Sequence, residues 1–170
     1  MSPPSVQGQH NLQQKENNMK TMSHYLHFRD PSRRGLSATR GDERLMGKDK
    51  IVGVHEGSDA AAVPQSVLEK KCVVEFLLAG KPVVVMYDPK SGTPVVFGAV
   101  LDGRRLSFRA SKHGRRVLVQ DIGTGSLWSI LEGTAITGPL RGKRLEPVPY
   151  FYSFWYAWSA YRPETRIVSD

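Results

Sequence analysis

The sequence predicts a mainly β fold, an antiparallel barrel or sandwich that ends in a short aromatic helix. Three observations predict it. From Lys50 onward, short apolar runs are separated by glycine and proline turns, which is typical of β-strands. Asp102-Gly103 lies between two alternating runs, which is the signature of a type I′ hairpin. Near the C-terminus, SFWYAWSAYRP places its aromatic residues at helical spacing.

Residues 1–48 are predicted to form a flexible or extended basic arm, and residues 49–170 a single β-rich domain. The arm is rich in Gln, Asn, Ser, Arg and Gly and has almost no apolar periodicity. Its segment HYLHFRDPSRRGLSATRGDER mixes aromatics with arginines. That mixture suits either docking on an acidic surface or an RNA, or a solvated tail with transient contacts.

The first half of the domain is predicted to contain three strands. KIVGVHEG alternates briefly and ends in a glycine turn. DAAAVPQSVLEKKC is predicted to be either a short helical turn after Pro64 or an irregular crossing. CVVEFLLAGKPVVVMYD indicates two strands broken at Ala79-Gly80-Lys81.

The second half begins with the predicted hairpin in VVFGAVLDGRRLSFRA, where Gly103 accepts a positive φ without steric cost. One face of this hairpin is expected to carry Val96 and Val100 or their neighbours, and Leu106 and Phe108 share a side of the returning strand. RRVLVQD is predicted to be a strand and IGTG a turn. SLWSILEG and TAITG are predicted to be two short strands separated by Gly133, and RLEPVPYFY an extended edge segment.

In the C-terminal helix, Ser153 is the predicted N-cap and Pro163 ends the segment. Its aromatic stripe suits either base stacking or partner docking, or burial against one end of a β-sheet. We favour burial, because aromatic side chains dominate the cores of small domains. The predicted core residues are Phe97, Phe108, Trp128, Trp155 and Trp158.

The chain has 170 residues, a formal net charge of +8 and a single cysteine, Cys72. The positive surplus favours polyanions, acidic proteins or anionic membrane surfaces, or it serves solubility alone. One cysteine excludes a disulfide within the chain and a zinc site built from cysteines. No apolar run approaches the roughly 20 residues of a membrane span, and the N-terminus lacks the apolar core of a secretory signal. We therefore expect a cytoplasmic protein by default.

Five stretches follow one another in a recognisable order: IVGVHEGSDAAAVP, GKPVVVMYDPKSGTPVVF, DGRRLSF, QDIGTGSLWSILEGTAITGPLRGKRLEPVP and FWYAWSAYRPETRIV. This order resembles a bacterial and archaeal family known as domain of unknown function 3179. The most specific stretch is DIGTGSLWSILEGTAITGPLRGKRLE, whose Asp, Thr, Ser, Trp, paired Gly and Arg-Leu positions are similar to the family pattern. The family has no established activity, so the resemblance implies no reaction.

Departures from the family pattern remove its metal-type or redox-type residues. Members typically carry Cys-Pro-x-Cys-Gly where this chain has residues 88–92 (DPKSG), and Asn-Trp-His-Glu where it has residues 69–72 (EKKC). In the family, two thiols near an imidazole would suit a soft metal ion or a redox step. The resemblance therefore implies a degenerate pocket that holds no metal or cofactor, formed by Lys71, Cys72, Asp88 and Ser91.

The run from Arg104 to Arg116 also departs from the family and contains six basic residues and no acidic one. These are the candidate anion-binding or partner-binding residues: Arg104, Arg105, Arg109, Lys112, Arg115 and Arg116. If this run approaches the 88–92 turn, the pocket has become an ion-paired or anion-binding surface. Otherwise both are solvated loops whose surface pairs contribute about 0–1 kcal/mol each.

Other constellations of reactive side chains are weak, and we assign no catalytic residue. His24 and His27 lie three residues apart without a third ligand at a suitable spacing. Ser126, Asp121 and His113 have the residue types of a hydrolytic triad, but no nucleophile elbow surrounds the serine. The GTG stretch of residues 123–125 is predicted to be a turn, because no phosphate-binding helix follows it.

Two classes of function remain open. The first is a non-enzymatic binding or assembly module whose basic surface binds an acidic protein partner or a subunit of a larger assembly, with a nucleic acid or an anionic membrane surface as variants. The second is a small-molecule or metal-dependent redox enzyme that uses the altered pocket, with Lys71, Cys72 and Asp88 as working residues. Because thiols are replaced and basic residues clustered, the sequence favours the first class.

Overall fold

The computed structural model describes residues 42–113 and 116–169. Nearly half of them lie in short strands, and two short helices stand between strands. In chain order the elements are β1 (Lys50–Glu56), β2 (Asp59–Pro64), α1 (Gln65–Lys71), β3 (Val73–Leu78), β4 (Lys81–Asp88), β5 (Thr93–Gly98), β6 (Val100–Leu101), β7 (Arg104–Arg105), β8 (Phe108–His113), β9 (Arg116–Asp121), β10 (Leu127–Trp128), β11 (Ala135–Thr137), β12 (Phe151–Phe154), α2 (Trp155–Tyr161) and β13 (Arg166–Ile167). The predicted fold class, mainly antiparallel β with a short C-terminal aromatic helix, is confirmed.

The described strands form three main sheets and one small hairpin. The first sheet has the order β12-β1-β2-β13, the second β3-β4-β5 and the third β11-β10-β9-β8, while β6 pairs only with β7. Neighbouring strands are antiparallel except β13, which runs parallel to β2. The second sheet lies between the other two, because its two faces contribute to two different hydrophobic cores.

Strand β4 shows how the sequence specifies this central sheet. Its run PVVVMY is apolar at every position, which is typical of a strand buried on both faces. Val83, Val85 and Tyr87 face the first core, which lies between the first and second sheets. Val84 and Met86 face the second core, which lies between the second and third sheets. One strand therefore holds the three sheets together.

Hydrogen bonds also join the sides of the second sheet to strand β8 and to the segment that follows β11. On one side, a carboxylate oxygen of Glu75 in β3 accepts the backbone N–H of Phe108, the first residue of β8. On the other side, the N–H of Gly98 at the end of β5 donates to the carbonyl of Glu146 at 2.9 Å. The predicted core residues Phe97, Phe108 and Trp128 are buried between these two joints, as predicted.

The C-terminal helix packs on the outer face of the first sheet. Trp155 and Trp158 are buried there against Ile51 and two alanines of β2, which confirms both tryptophans as core residues. The helix ends at Tyr161, just before Arg162 and Pro163, as predicted. Neither helix in the described residues has the length and apolar character that crossing a membrane would require.

Two turns that the local sequence predicts are confirmed. Asp102 and Gly103 have φ values of 49° and 75°, so the type I′ hairpin is confirmed. The break between β3 and β4 also occurs at the predicted place, with Ala79 and Gly80 at φ values of 47° and 78°. Both turns depend on backbone preferences of two adjacent residues, which the sequence displays directly.

Three local predictions were wrong in whole or in part. In DAAAVPQSVLEKKC the predicted helical turn after Pro64 is confirmed as α1 (Gln65–Lys71). However, DAAAVP forms strand β2, because β1 and β13 pair with it on either side, although alanine has little strand preference. Ser153 does not cap the last helix: it pairs with Ile51 inside β12, and Phe154 takes the N-cap position. Val96 faces the first core whereas Val100 is 40% exposed, because the chain leaves the sheet after Gly98.

The predicted arm is only partly within the described residues. Residues 1–41, with His24 and His27, lie outside them. Residues 42–48 contact the C-terminal helix, since the Arg44 guanidinium donates to the Thr165 carbonyl at 2.6 Å and lies over the Trp155 ring. The Gly47 carbonyl accepts the N–H of Tyr156 at 2.9 Å. The described end of the arm therefore packs on the domain.

Candidate functional site

The 88–92 turn connects β4 to β5, and its carboxylate holds its shape. One Asp88 oxygen accepts the Ser91 hydroxyl at 2.6 Å, and the two carboxylate oxygens accept the backbone N–H groups of Lys90 and Ser91 at 3.2 Å each. The N–H of Gly92 donates to the Asp88 carbonyl at 2.8 Å. Gly92 has a φ of 68°, which glycine adopts without strain. Asp88 and Ser91 thus bind each other.

These hydrogen bonds determine the charge of Asp88. The bond from the Ser91 hydroxyl lowers the pKa of Asp88 most, and the two backbone N–H groups and the Lys90 ammonium lower it further against a smaller effect of burial. The side chain is therefore a carboxylate at neutral pH, with its oxygens already engaged in the turn.

Cys72 lies beside this turn, at the end of helix α1. Its carbonyl accepts the N–H of Tyr87 at 2.8 Å, which brings the end of α1 next to the end of β4. Burial raises the pKa of the Cys72 thiol, the Lys112 ammonium acts to lower it, and the Asp88 carboxylate adds to the rise. The thiol is therefore protonated at neutral pH.

Lys71 points away from the predicted pocket. Its ammonium donates to the carbonyl of Ser169 near the C-terminus at 3.3 Å. The structure thus brings Cys72 and Asp88 close to each other, but directs Lys71 elsewhere. Among residues 42–113 and 116–169, no three His, Cys, Asp or Glu side chains gather closely enough to hold a metal ion.

A cleft of about 580 Å³ opens next to the turn. One wall consists of residues 88–90, and the opposite wall consists of Val117 and Leu118 of β9 and residues 129–131, which follow β10. The cleft lies at the Asp88 end of the second core, where the second and third sheets separate. The 88–92 turn and the third sheet therefore do approach one another.

The six basic residues predicted to act together are not in one place. Arg104 and Arg105 are exposed on β7, which follows the Lys81 end of the second sheet, where Ala99 bonds to Pro82. Arg109 donates two hydrogen bonds to Gln120 on the third sheet, at 2.8 and 3.1 Å. Lys112 lies near Cys72, at the opposite end. Arg115 and the side chain of Arg116 lie outside the described residues.

A second basic segment, which the sequence analysis did not single out, joins Arg104 and Arg105. The Lys143 ammonium forms an ion pair with Asp102 at 2.8 Å, which ties the RGKR segment to the β6–β7 hairpin. The Arg144 guanidinium donates to the Thr134 hydroxyl at 3.2 Å. We call the resulting surface the basic end; its five exposed members are Arg104, Arg105, Arg141, Lys143 and Arg144.

The basic end carries a concentrated positive charge. Its five cations carry a formal charge of +5, and the Asp102 carboxylate reduces this to +4. The exposed carboxylates of Glu132 and Glu146 stand next to these segments in the sequence. Within the described residues, Asp102 is the only carboxylate that forms an ion pair with a member of the basic end. The RGKR run was the available sequence signal, but the pairing with Asp102 spans 41 residues and needed the structure.

A second turn repeats the pattern of the 88–92 turn. Asp121 ends β9, accepts the Thr124 hydroxyl at 2.7 Å, and its carbonyl accepts the N–H of Gly125 at 3.0 Å. Unlike Asp88, it is fully buried and also accepts the indole N–H of Trp128 at 3.2 Å. Burial acts to raise the pKa of Asp121, but the hydrogen bonds from Thr124, Trp128 and Ser126 outweigh it and lower the pKa.

The residues of the weak triad are separated by the third sheet. The register of β8 and β9 places His113 opposite Arg116 and Asp121 opposite Phe108. His113 is thus five residues along β8 from the strand end at Asp121, a backbone distance of about 17 Å. The GTG stretch forms a turn, as predicted.

Comparison with protein-family models matches residues 11–165 to the family described as "Protein of unknown function (DUF3179)". The match covers most of the chain and includes residues that precede the described part. Comparisons with curated proteins and with solved structures found no match.

Proposed function

The chain belongs to the DUF3179 family, and from this premise we propose that it is a non-enzymatic binding or assembly module that recruits an acidic protein partner. The observation that carries the proposal is the basic end, where only one of five exposed cations, Lys143, forms an ion pair with a carboxylate of the described residues. The family description names no activity, so the proposal is based on this chain's own charges.

The first sheet provides the contrast. Two carboxylates of that sheet have cationic partners on neighbouring strands: Glu56 pairs with Lys81 of β4, and Asp59 pairs with Arg166 of β13 at 3.4 Å. At the basic end, Asp102 is the only carboxylate of the described residues that forms an ion pair with a member, and the exposed Glu132 and Glu146 form none with it. Unpaired cations on one surface attract a negatively charged partner over a Debye length, which is about 8 Å at physiological salt.

An acidic protein suits this surface better than a single-stranded nucleic acid. Such nucleic acids are usually held by exposed aromatic side chains that stack on bases. The exposed aromatics of the described residues, Phe151, Tyr152 and Tyr161, belong to β12 and α2 on the first-sheet side of the molecule, away from the basic end. A nucleic-acid backbone and an anionic membrane surface remain as alternative outcomes of the test.

The pocket observations favour binding over the alternative of a metal-dependent or redox enzyme. A working cysteine needs a lowered pKa, because the thiolate is the reactive form, and burial raises the pKa of Cys72. The Asp88 oxygens are engaged by Ser91 and the turn backbone. Neither residue has the properties that the enzyme hypothesis requires.

The test is binding of the whole chain to a polyglutamate peptide, with single-stranded RNA and phosphatidylserine vesicles measured in parallel. We expect the Arg104→Glu/Arg105→Glu variant to weaken polyglutamate binding about tenfold at low salt, since each exposed charge contact contributes up to about 1 kcal/mol. The matched control, Lys50→Glu/Lys70→Glu, changes the net charge equally on the first-sheet side and should weaken binding far less.

Three results would count against the proposal. Binding that does not weaken with added salt would mean that the charges do not carry it. Equal losses in the two variants would mean that net charge, not the basic end, is recognised. Tighter binding to RNA or to vesicles, lost in the Arg104→Glu/Arg105→Glu variant, would identify a different class of partner.

A further inference from the structure

The outer side of the first sheet carries a contiguous group of aromatic rings that is partly open to solvent. His55 of β1 stacks on Phe151 of β12 with a centroid distance of 6.0 Å, and Phe151 contacts the Trp158 ring at 5.6 Å. Tyr161 lies 6.4 Å from both His55 and Trp158. We call these four residues the aromatic patch. Trp158 is buried, whereas Phe151 is 49% and Tyr161 61% exposed. Contiguous exposed apolar surface usually marks a place where another segment or chain binds.

Arg162, which follows the patch, has an incomplete set of contacts within the described residues. Its guanidinium lies over the Tyr161 ring at 4.8 Å and donates to His55 Nδ1 at 3.1 Å. Its Nε is buried and has no hydrogen-bond partner among residues 42–113 and 116–169, and no carboxylate of these residues forms an ion pair with it. Nearly every buried donor in a folded protein has a partner. This donor therefore indicates that a further segment contributes contacts at this place.

The chain enters the described part beside this patch. The Asp42 carbonyl accepts the indole N–H of Trp155 at 2.9 Å, at the start of helix α2, which also carries Trp158 and Tyr161. A helix rises about 1.5 Å per residue, so Tyr161 lies about 9 Å farther along the helix axis. The family match begins at residue 11 and therefore includes residues that precede Asp42. Those residues lead directly to the helix that bears the patch.

Residues 1–41 contain one segment whose chemistry matches the patch, HYLHF at 24–28. Tyr25 and Phe28 are the only Phe, Trp or Tyr residues of residues 1–41, and Leu26 lies between them. The thirteen residues 29–41 can span about 40 Å when extended, which is several times the length of α2. A tether of this length gives an effective concentration in the millimolar range. The segment therefore reaches the patch and has an advantage over a separate molecule.

We propose that residues 24–28 of the chain itself bind to the aromatic patch, with the Tyr25 and Phe28 rings against Phe151 and Tyr161. Removing exposed aromatic surface from water drives this contact, and aromatic rings prefer to pack against one another. A second copy of the chain is the alternative occupant, but it lacks the tether and covers the patch only at high protein concentration. The proposal is independent of the basic end, which lies away from this side of the molecule.

The test is NMR spectroscopy of the full chain with a soluble gadolinium chelate, which broadens the signals of side chains that solvent reaches. The ring signals of Phe151 and Tyr161 should be protected from broadening, because residues 24–28 cover them. The methyl signals of Leu77 and Ile122 serve as references, because these side chains are 45% and 61% exposed on other surfaces. They should broaden strongly.

The Tyr25→Ser/Phe28→Ser variant should lose the protection of the patch, because it removes the two rings that cover it. The matched control, Leu12→Ser/Met19→Ser, removes two large apolar side chains from the same part of the chain and should keep the protection. In the wild-type chain, nuclear Overhauser contacts should join Tyr25 or Phe28 to the patch, which tests the proposal without any substitution.

Three results would overturn the proposal. The first is broadening of the patch signals in the wild-type chain as strong as that of the two reference side chains. The second is protection that persists in the Tyr25→Ser/Phe28→Ser variant. The third is protection that disappears on dilution, or Overhauser contacts found only between labelled and unlabelled chains in a mixture, which would identify a second copy as the occupant.

Discussion

The 88–92 turn and the 121–125 turn have the same hydrogen bonds but different surroundings. In each, an aspartate that ends a strand accepts the hydroxyl of the residue three positions later, at 2.6 Å from Ser91 and 2.7 Å from Thr124. In each, a glycine follows with a positive φ, 68° at Gly92 and 74° at Gly125. The local chemistry of the two turns is therefore nearly interchangeable.

Their tertiary surroundings give them different roles. Asp121 is fully buried, and the Trp128 indole and the Ser126 N–H add two further donors. Asp88 is partly exposed and lines the open cleft. The same turn pattern therefore serves two positions in the fold: the covered turn anchors the second core, and the open turn lines a cleft at the surface.

The largest expected effect comes from removing the group that covers the buried turn. Trp128→Ala should lower the free energy of unfolding by roughly 3–5 kcal/mol, because it leaves a cavity in the second core and removes a donor to Asp121. Chemical denaturation measures this change. Leu131→Ala, a truncation at the rim of the open cleft, serves as the control and should cost far less. An unchanged stability of Trp128→Ala would mean that the indole does not distinguish the two turns.

Removing each carboxylate tests the comparison directly. Asp121→Ala should destabilise the protein by about 3 kcal/mol, because several buried N–H donors lose their acceptor in a place that water does not reach. Asp88→Ala should cost only about 1 kcal/mol, because water hydrates the exposed donors of the open turn. Thermal or chemical unfolding of the two variants gives the difference, and equal losses would contradict the importance of burial.

The glycines are the positions where the two turns should behave alike. An added Cβ meets nothing closer than 3.7 Å at either Gly92 or Gly125, so backbone strain alone decides the cost. Gly92→Ala and Gly125→Ala should each lower the free energy of unfolding by about 1–2 kcal/mol, the cost of a left-handed conformation for alanine. A large difference in the measured unfolding free energies would show that the turns are not equivalent locally.

Acid sensitivity gives the smallest expected difference. The pKa values of Asp88 and Asp121 are both lowered in the folded chain, so their ionised forms stabilise the fold. This stabilisation is complete above the unfolded pKa of about 3.9 and is lost as the pH falls through the lowered folded values. The unfolding free energy, measured from about pH 6 down to about pH 3, should fall less steeply in Asp121→Asn than in wild type.

Asp88→Asn should change that slope less, because solvent screens the more exposed group. A steeper acid loss in either variant than in wild type would mean that the sign of the pKa shift is wrong. The Ser91→Ala variant removes the hydrogen bond that lowers the pKa of Asp88 most. It should therefore be less stable than wild type near neutrality, where Asp88 is ionised, and this difference should shrink as the pH falls.

Much of the fold could be predicted from the sequence, because its signals are local. The Asp102-Gly103 turn, the break before Lys81 and the end of the last helix before Pro163 each depend on a few adjacent residues. Strand β2 was missed because its alanines carry no local strand signal and depend on two neighbouring strands.

The candidate sites were less predictable. The sequence grouped Arg104 and Lys112 in one basic run, but the third sheet separates them to opposite ends of the molecule. The sequence also placed Lys71 in the pocket, but the Lys71 ammonium donates to the Ser169 carbonyl instead. Charge can be counted in a sequence, whereas the position of that charge depends on how the strands pair.

By itself the sequence determined the β class, the main turns, the buried aromatics and the positive surplus, because backbone preference, periodicity and composition act over a few residues. Only the tertiary structure decided that Lys143 meets Asp102 across 41 residues and that the 121–125 turn is covered while the 88–92 turn is open. These arrangements follow from the pairing and stacking of distant strands, since each contact becomes favourable only once the sheets have assembled around a shared core.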